Sequence, residues 1–219
     1  MPMEKFVERD ILFKNFFEKI QLAISRTVVL KSTLDLSKIK NVVAVDSAYK
    51  NDELMVTGAI VWSLEKREVL WRSYIECKPT YPYTPGLLYL REGPAILKIL
   101  EDINLEWDLL LVDGHGVLHP RRAGLATVVG FILDVPTIGV AKRLLVGEEA
   151  GGEGFGYVLV DGEVLGYWFR DGGKFYVSPG YGLSIEDVLN FMRFMENRYP
   201  EPLKIVDRYV RSIMQCHRS

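Results

Sequence analysis

Leu109-Leu110-Leu111-Val112-Asp113-Gly114-His115-Gly116-Val117-Leu118-His119-Pro120-Arg121-Arg122 runs from an apolar stretch through a carboxylate into a glycine-rich loop. Consecutive large aliphatic residues bounded by loop signals describe a strand covered on both faces. An aspartate closing such a strand needs a cation or a donor, because an unpaired buried carboxylate is costly to desolvate. Val42-Val43-Ala44-Val45-Asp46 repeats the pattern upstream. Between the two lies Leu87-Leu88-Tyr89-Leu90-Arg91-Glu92-Gly93-Pro94, which sets a third carboxylate in a helical region. Two aspartates on strands and one glutamate make a set of hard oxygen ligands, suited to Mg²⁺ or Mn²⁺ and to the chemistry of phosphate esters.

Outward from these runs, Ile11–Ile24 carries Leu12, Phe16, Phe17, Ile20, Ala23 and Ile24 at helical spacing and predicts an N-terminal amphipathic helix. Strands are expected at Val42–Asp46, Met55–Trp62 and Val69–Ile75, the last two forming a hairpin about Glu65-Lys66-Arg67. A helical region follows over Leu87–Leu100, with Pro94 starting a second segment and Glu92 at the kink. After the Leu109–Asp113 strand come a helix over Ala123–Leu133 and a short strand over Thr137–Val140. Phe155–Val160, Glu163–Arg170 and Lys174–Val177 read as an antiparallel set turned at Asp161-Gly162 and Asp171-Gly172-Gly173. Helices over Ser184–Asn197 and Glu201–Met214 close the chain, the first opened by a capping box between Ser184 and Asp187. Gly147–Gly154 reads as a surface loop. No linker divides the sequence, so residues 1–219 are expected to form one domain, with 1–40 as a helical extension packed on it.

The formal charge of −2 gives no global signal for nucleic acid, and an acidic cage would cancel basic residues elsewhere. Arg121-Arg122, Lys142-Arg143 and the Lys204/Arg208/Arg211 group are candidate phosphate contacts, though each would also suit a solvated face. Cys77 and Cys216 form neither a disulfide framework nor a zinc motif and are expected as thiols of a reducing compartment. Met1–Phe6 lacks a signal-peptide core, and no run approaches the roughly 18 apolar residues of a membrane span, so a cytoplasmic protein is expected. Glutamine occurs only at Gln21 and Gln215, a scarcity in keeping with a thermophile.

Three meandering strands, a helix, a strand, a helix and a strand, with Asp, Glu and Asp placed in that order, resemble the α/β ribonuclease H-like fold: a central mixed β-sheet flanked by helices. That resemblance implies a fourth ligand on the last helix, where Asp207 stands. Further blocks are Pro82-Tyr83-Thr84-Pro85-Gly86-Leu87, Arg91-Glu92-Gly93-Pro94, Asp113-Gly114-His115-Gly116, His119-Pro120-Arg121, Ile138-Gly139-Val140-Ala141-Lys142, Ser178-Pro179-Gly180 and Pro200-Glu201-Pro202. Each is weak alone; in this order they closely resemble the endonuclease V family, from Asp46 to the C-terminal helix.

The resemblance implies a Mg²⁺- or Mn²⁺-dependent endonuclease acting on DNA or RNA that contains inosine. It cuts at the second phosphodiester 3′ to the lesion and leaves 3′-hydroxyl and 5′-phosphate ends. Asp46, Glu92 and Asp113 become metal ligands, with His119 and Lys142 assisting at the scissile phosphate or the attacking water. Tyr83, stiffened by prolines on both sides, becomes a wedge that replaces the stacking of an extruded base. The damaged base is then read by backbone groups around Gly86-Leu87 and Gly114-His115-Gly116, while Arg121 and Arg122 position the strand. Competing readings are another ribonuclease H-like nuclease (a resolvase or a hybrid-cleaving ribonuclease), a binder that does not cut, and a metal-dependent phosphatase. The first has no use for the Pro-Tyr-Thr-Pro wedge, and a binder gains nothing from clustered like charges.

Overall fold

The computed structural model describes residues 8–216. Its centre is one nine-stranded sheet in the order β3-β2-β1-β4-β5-β9-β8-β7-β6. The strands are β1 (Asn41–Lys50), β2 (Leu54–Ser63), β3 (Glu68–Cys77), β4 (Leu109–Asp113), β5 (Thr137–Ala141), β6 (Glu148–Gly151), β7 (Phe155–Val160), β8 (Glu163–Asp171) and β9 (Gly173–Tyr181). Only β1–β4 and β4–β5 pair in parallel; the other neighbours are antiparallel. The helices are α1 (Arg9–Thr27), α2 (Leu88–Leu100), α3 (Leu125–Leu133), α4 (Ile185–Phe194) and α5 (Glu201–Cys216).

Both faces of the sheet are covered, which is why β1 and β4 read as unbroken apolar runs. Val43, Val45, Leu110 and Val112 pack with α2 and α3, together with Phe17, Ile20 and Ile24 of α1. The alternate residues Val42, Ala44, Leu109 and Leu111 pack with Val206 and Val210 of α5 and with α4. Helix α5 comes close because Gly58 of β2 has no side chain: a Cβ there would lie 2.4 Å from Val210. Ser184 and Asp187 make the expected capping box at α4.

Several expectations need correction. Asp46 does not end its strand, since β1 continues to Lys50; what ends near Asp46 is the pairing with β4, whose last rung is Val45–Val112. Helix α2 is one helix with Pro94 inside it, not two segments. Proline has no N–H to give the Leu90 carbonyl, and the Thr80 hydroxyl, arriving from the preceding segment, donates to it instead. The Gly147–Gly154 stretch holds the edge strand β6, paired along its length with β7. Strand β9 runs past Val177 through Pro179, accommodated by a register shift opposite Thr137/Ile138. The reading of Met1–Phe6 lies outside the described residues, as do the first seven residues of the 1–40 extension. Among the described residues, no helix is long and apolar enough to cross a membrane.

Candidate active site

One step beyond the Val45–Val112 rung stand Asp46 and Asp113, on adjacent parallel strands that lie about 4.8 Å apart. Strand alternation gives Asp46 the parity of Val42 and Ala44, and Asp113 that of Leu109 and Leu111, so both belong to the α5 face. Lys142 follows β5, the next strand over, and its Nζ lies 2.8 Å from Asp113 Oδ2. The Tyr199 hydroxyl donates to the same oxygen at 3.3 Å. Tyr199 is itself fixed: its N–H donates to Asp171, its ring meets Phe175 edge-on, and Lys142 sits over it at 5.5 Å.

Glu92 is buried on α2 and accepts a 2.5 Å hydrogen bond from the Tyr49 hydroxyl. Arg91 holds that phenol from its other side, stacking over the Tyr49 ring at 4.4 Å while pairing with Asp52 at 2.8 Å. Burial pushes the Glu92 carboxyl up to about 7; the Tyr49 bond opposes the shift and the Asp113 charge adds to it. Burial likewise raises Asp46 well above the carboxylate range, with repulsion from Asp113 and Glu92 adding to it. Burial pulls Lys142 down, but Asp113 and Asp46 outweigh it and hold the ammonium charged.

Asp46 and Glu92 therefore both resist ionisation, and a divalent cation held between them would relieve that resistance. Hard oxygen donors in a desolvated spot fit Mg²⁺ or Mn²⁺. Among the described residues, no group of His, Cys, Asp or Glu is already arranged to hold a metal ion. Glu92 instead accepts from Tyr49, and Asp113 from Lys142 and Tyr199. Asp207, on α5, accepts on Oδ1 from Arg211 Nε at 2.9 Å, though its charge reaches Lys142 and Tyr199.

Beside Asp113 lies a cavity of 290 Å³ lined by Tyr83, Gly86, Gly114, His115, His119 and Lys142, among others. Tyr83, 68% exposed, stands at its rim on the 82–86 loop. That loop turns at Gly86, where φ is +79°, a conformation that favours glycine. The Gly86 carbonyl then collects donors from Gln21 Nε2 (3.0 Å), His119 Nε2 (3.1 Å) and Arg121 Nη2 (2.8 Å). Gln21, 1% exposed, also donates to the Ala123 carbonyl at 2.6 Å and accepts from Arg121 Nε at 2.7 Å.

This clasp engages several of the expected site residues. His119 Nδ1 accepts from the Arg121 amide, its Nε2 donates to Gly86, and burial pulls the ring down to about 4. The Arg121 guanidinium is engaged by Gln21, Glu18 and Gly86. Arg122 pairs with Glu163 at 2.7 Å, beside a different cavity. Leu87 is core, 1% exposed, and its neighbour Leu88 lines the cavity instead. Gly116 packs under β9, where a Cβ would strike the Pro179 carbonyl, and it does not line the cavity. His115 does line it, with Nε2 fixed 2.7 Å from the Arg143 carbonyl.

Sequence reasoning missed Gln21, Tyr49 and Tyr199. Gln21 had a signal, a lone amide on the apolar face made by Phe17, Ile20 and Ile24. Tyr49 and Tyr199 reach their carboxylates across 43 and 86 residues, which no local pattern encodes.

A family model described as Endonuclease V matches residues 23–208. The chain is 37% identical over 207 residues to Endonuclease V of Saccharolobus islandicus, covering 94% of this chain and 98% of that one. Its structure is similar to the catalytic domain of human Endonuclease V, with TM-score 0.85, 26% identity, and 96% and 98% of the two chains covered. It is also similar to Ciona intestinalis Endonuclease V in complex with a 24mer DNA containing an inosine followed by a ribo-adenosine, with TM-score 0.84, 26% identity, and 95% and 99% covered. The family match begins upstream of Asp46 and takes in the end of α1, further than the motifs alone reach. With its ribonuclease H-like mixed sheet and its matching sequence, the chain belongs to the endonuclease V family.

Proposed function

We propose that the protein is a metal-dependent endonuclease that recognises inosine in DNA or RNA and cuts the second phosphodiester 3′ to it. One observation carries this: buried, mutually repelling Asp46 and Glu92, with Asp113 beside them at a cavity whose rim holds an exposed tyrosine. In the cut, a water oxygen joins phosphorus, the bond to the 3′ oxygen breaks, and that oxygen takes up a proton. The products are a 3′-hydroxyl and a 5′-phosphate. Asp46, Glu92 and Asp113 would hold Mg²⁺, or Mn²⁺ in its place, which supplies Lewis-acid activation of the phosphate and the water.

Lys142 trades its Asp113 partner for a phosphate oxygen and opposes the charge that develops there. Tyr199 and Tyr49 keep Asp113 and Glu92 oriented. Tyr83 fills the gap left by the extruded base, stacking worth about 1–3 kcal/mol per base. The base enters the 290 Å³ cavity, where Gly86, Gly114 and His115 border it.

The test uses end-labelled DNA and RNA strands, each with a single inosine, incubated with Mg²⁺ or with chelator. The expected result is a metal-dependent nick on the 3′ side of inosine, absent from unmodified strands, and the ratio of DNA to RNA cutting gives the preferred substrate. Asp46→Ala should abolish the nick while inosine-dependent binding persists. Equal loss of both would remove Asp46 from the cutting step, and cutting regardless of inosine would favour a different nuclease on this fold.

A further inference from the structure

A second cavity, of 370 Å³, opens on the other side of the carboxylates. It is bounded by Lys142, Lys174, Tyr199, Lys204, Asp207 and Arg208, among others, and Lys142 is the one lining residue it shares with the cavity beside Tyr83. Asp113 lines the first cavity and is bonded by Tyr199, which lines the second, so the carboxylate stands between them. We propose that this second cavity seats the nucleotide immediately 3′ to the cut, the one that leaves carrying the 5′-phosphate. The inference rests on the function proposed above and adds a place for the departing strand.

Charge supports this occupant. Among the lining residues the cations Lys142, Lys174, Lys204 and Arg208 outnumber the carboxylates Asp171 and Asp207. Asp171 is paired with Lys204 at 3.1 Å and Asp207 with Arg211 at 2.9 Å, while Lys142, Lys174 and Arg208 pair with Asp113, Glu149 and Glu201, which do not line the cavity. Arg208 and Lys142 have side chains 69% and 53% exposed, so each can exchange its carboxylate partner for a phosphate at little desolvation cost. Chain polarity agrees. A base held in the first cavity, with a scissile phosphate at the carboxylates between, directs the strand beyond the cut past Lys142. A cavity of 370 Å³ also falls within the roughly 300–1,000 Å³ of small-ligand sites.

The test measures binding, in chelator, of a short oligonucleotide bearing either a 5′-phosphate or a 5′-hydroxyl, by fluorescence anisotropy. The full-length protein should prefer the 5′-phosphate by about tenfold, with a salt slope that falls by about one for each cation removed. Lys204→Ala with Arg208→Ala should abolish the preference, and Arg208→Ala alone should reduce it; circular dichroism confirms that each variant is folded. No preference in the wild type, or full preference in the folded double variant, would overturn the assignment. Nicking of inosine strands is scored separately. A 5′-phosphate site in a protein that does not nick inosine would sink the proposed function and leave this site standing. Inosine nicking without the preference would do the reverse.

Discussion

Glu92 shows how one side chain links stability to chemistry. In the folded, metal-free chain its carboxyl keeps a proton up to about pH 7, above the range of an unfolded glutamate. Between those limits the folded state binds more protons than the unfolded one, so this group's contribution to stability is present at low pH and is lost as pH rises through 7. His119, held down to about 4, works in the opposite sense and loses its contribution as pH falls. Comparing Glu92→Gln with wild type cancels the histidine. In chelator, the variant's gain in melting temperature should be larger at about pH 8 than at about pH 5. A gain independent of pH would mean that Glu92 is not desolvated as described. Gln21 is the other decisive residue. Gln21→Leu takes the Gln21 donor from the Ala123 carbonyl and the acceptor from Arg121 Nε, while Gly86 keeps His119 and Arg121, at a cost of about 1–3 kcal/mol read by denaturant unfolding. It should also lower the ratio of inosine to unmodified cutting, because the 82–86 loop loses one of its anchors.

Among the elements, α2 depends on a residue outside it. Thr80→Val keeps the side chain's shape but takes the donor from the Leu90 carbonyl, which Pro94 cannot supply. The bond is open to water, so the expected loss is about 0.5–1.5 kcal/mol. Pro94→Ala restores an N–H within the helix, so Thr80→Val should cost less in that background. Equal costs in both backgrounds would show that the threonine bond does not compensate for the proline. Elements also differ in how far they can be read from sequence. Strands β1 and β4 announce themselves by burial on both faces, and α4 by its cap. Strand β6, Glu-Glu-Ala-Gly, is mostly exposed; beyond its backbone pairing with β7, its side-chain bonds run from Glu149 to Lys174 and Tyr176, more than twenty residues on, so no local side-chain period marks it. The candidate site divides in the same way. Asp46, Glu92, Asp113 and Lys142 sit where their own segments place them, while the engagement of His119 and Arg121 could not be read locally, because their partner, Gly86, is a carbonyl more than thirty residues away.

Across the whole molecule, α1 is joined to the candidate site through the clasp, the bond from the Tyr89 hydroxyl to the Phe17 carbonyl, and the apolar layer it shares with α2 and α3. Deleting residues 1–27 removes Phe17, Glu18 and Gln21 while leaving every strand of the sheet in place. The shortened chain should keep its far-UV circular dichroism, yet become rapidly cleaved by chymotrypsin after Tyr83. Global unfolding would instead make α1 a full part of the core. The bond from Tyr199 to Asp113 has a different consequence, which concerns synthesis. Asp46, Glu92 and Asp113 are all made by residue 113, but the phenol that orients Asp113 lies 86 residues further on, and the helix that covers its face of the sheet follows that phenol. A nascent polypeptide that has passed residue 113 but not yet reached α5 therefore carries these acidic residues without the geometry.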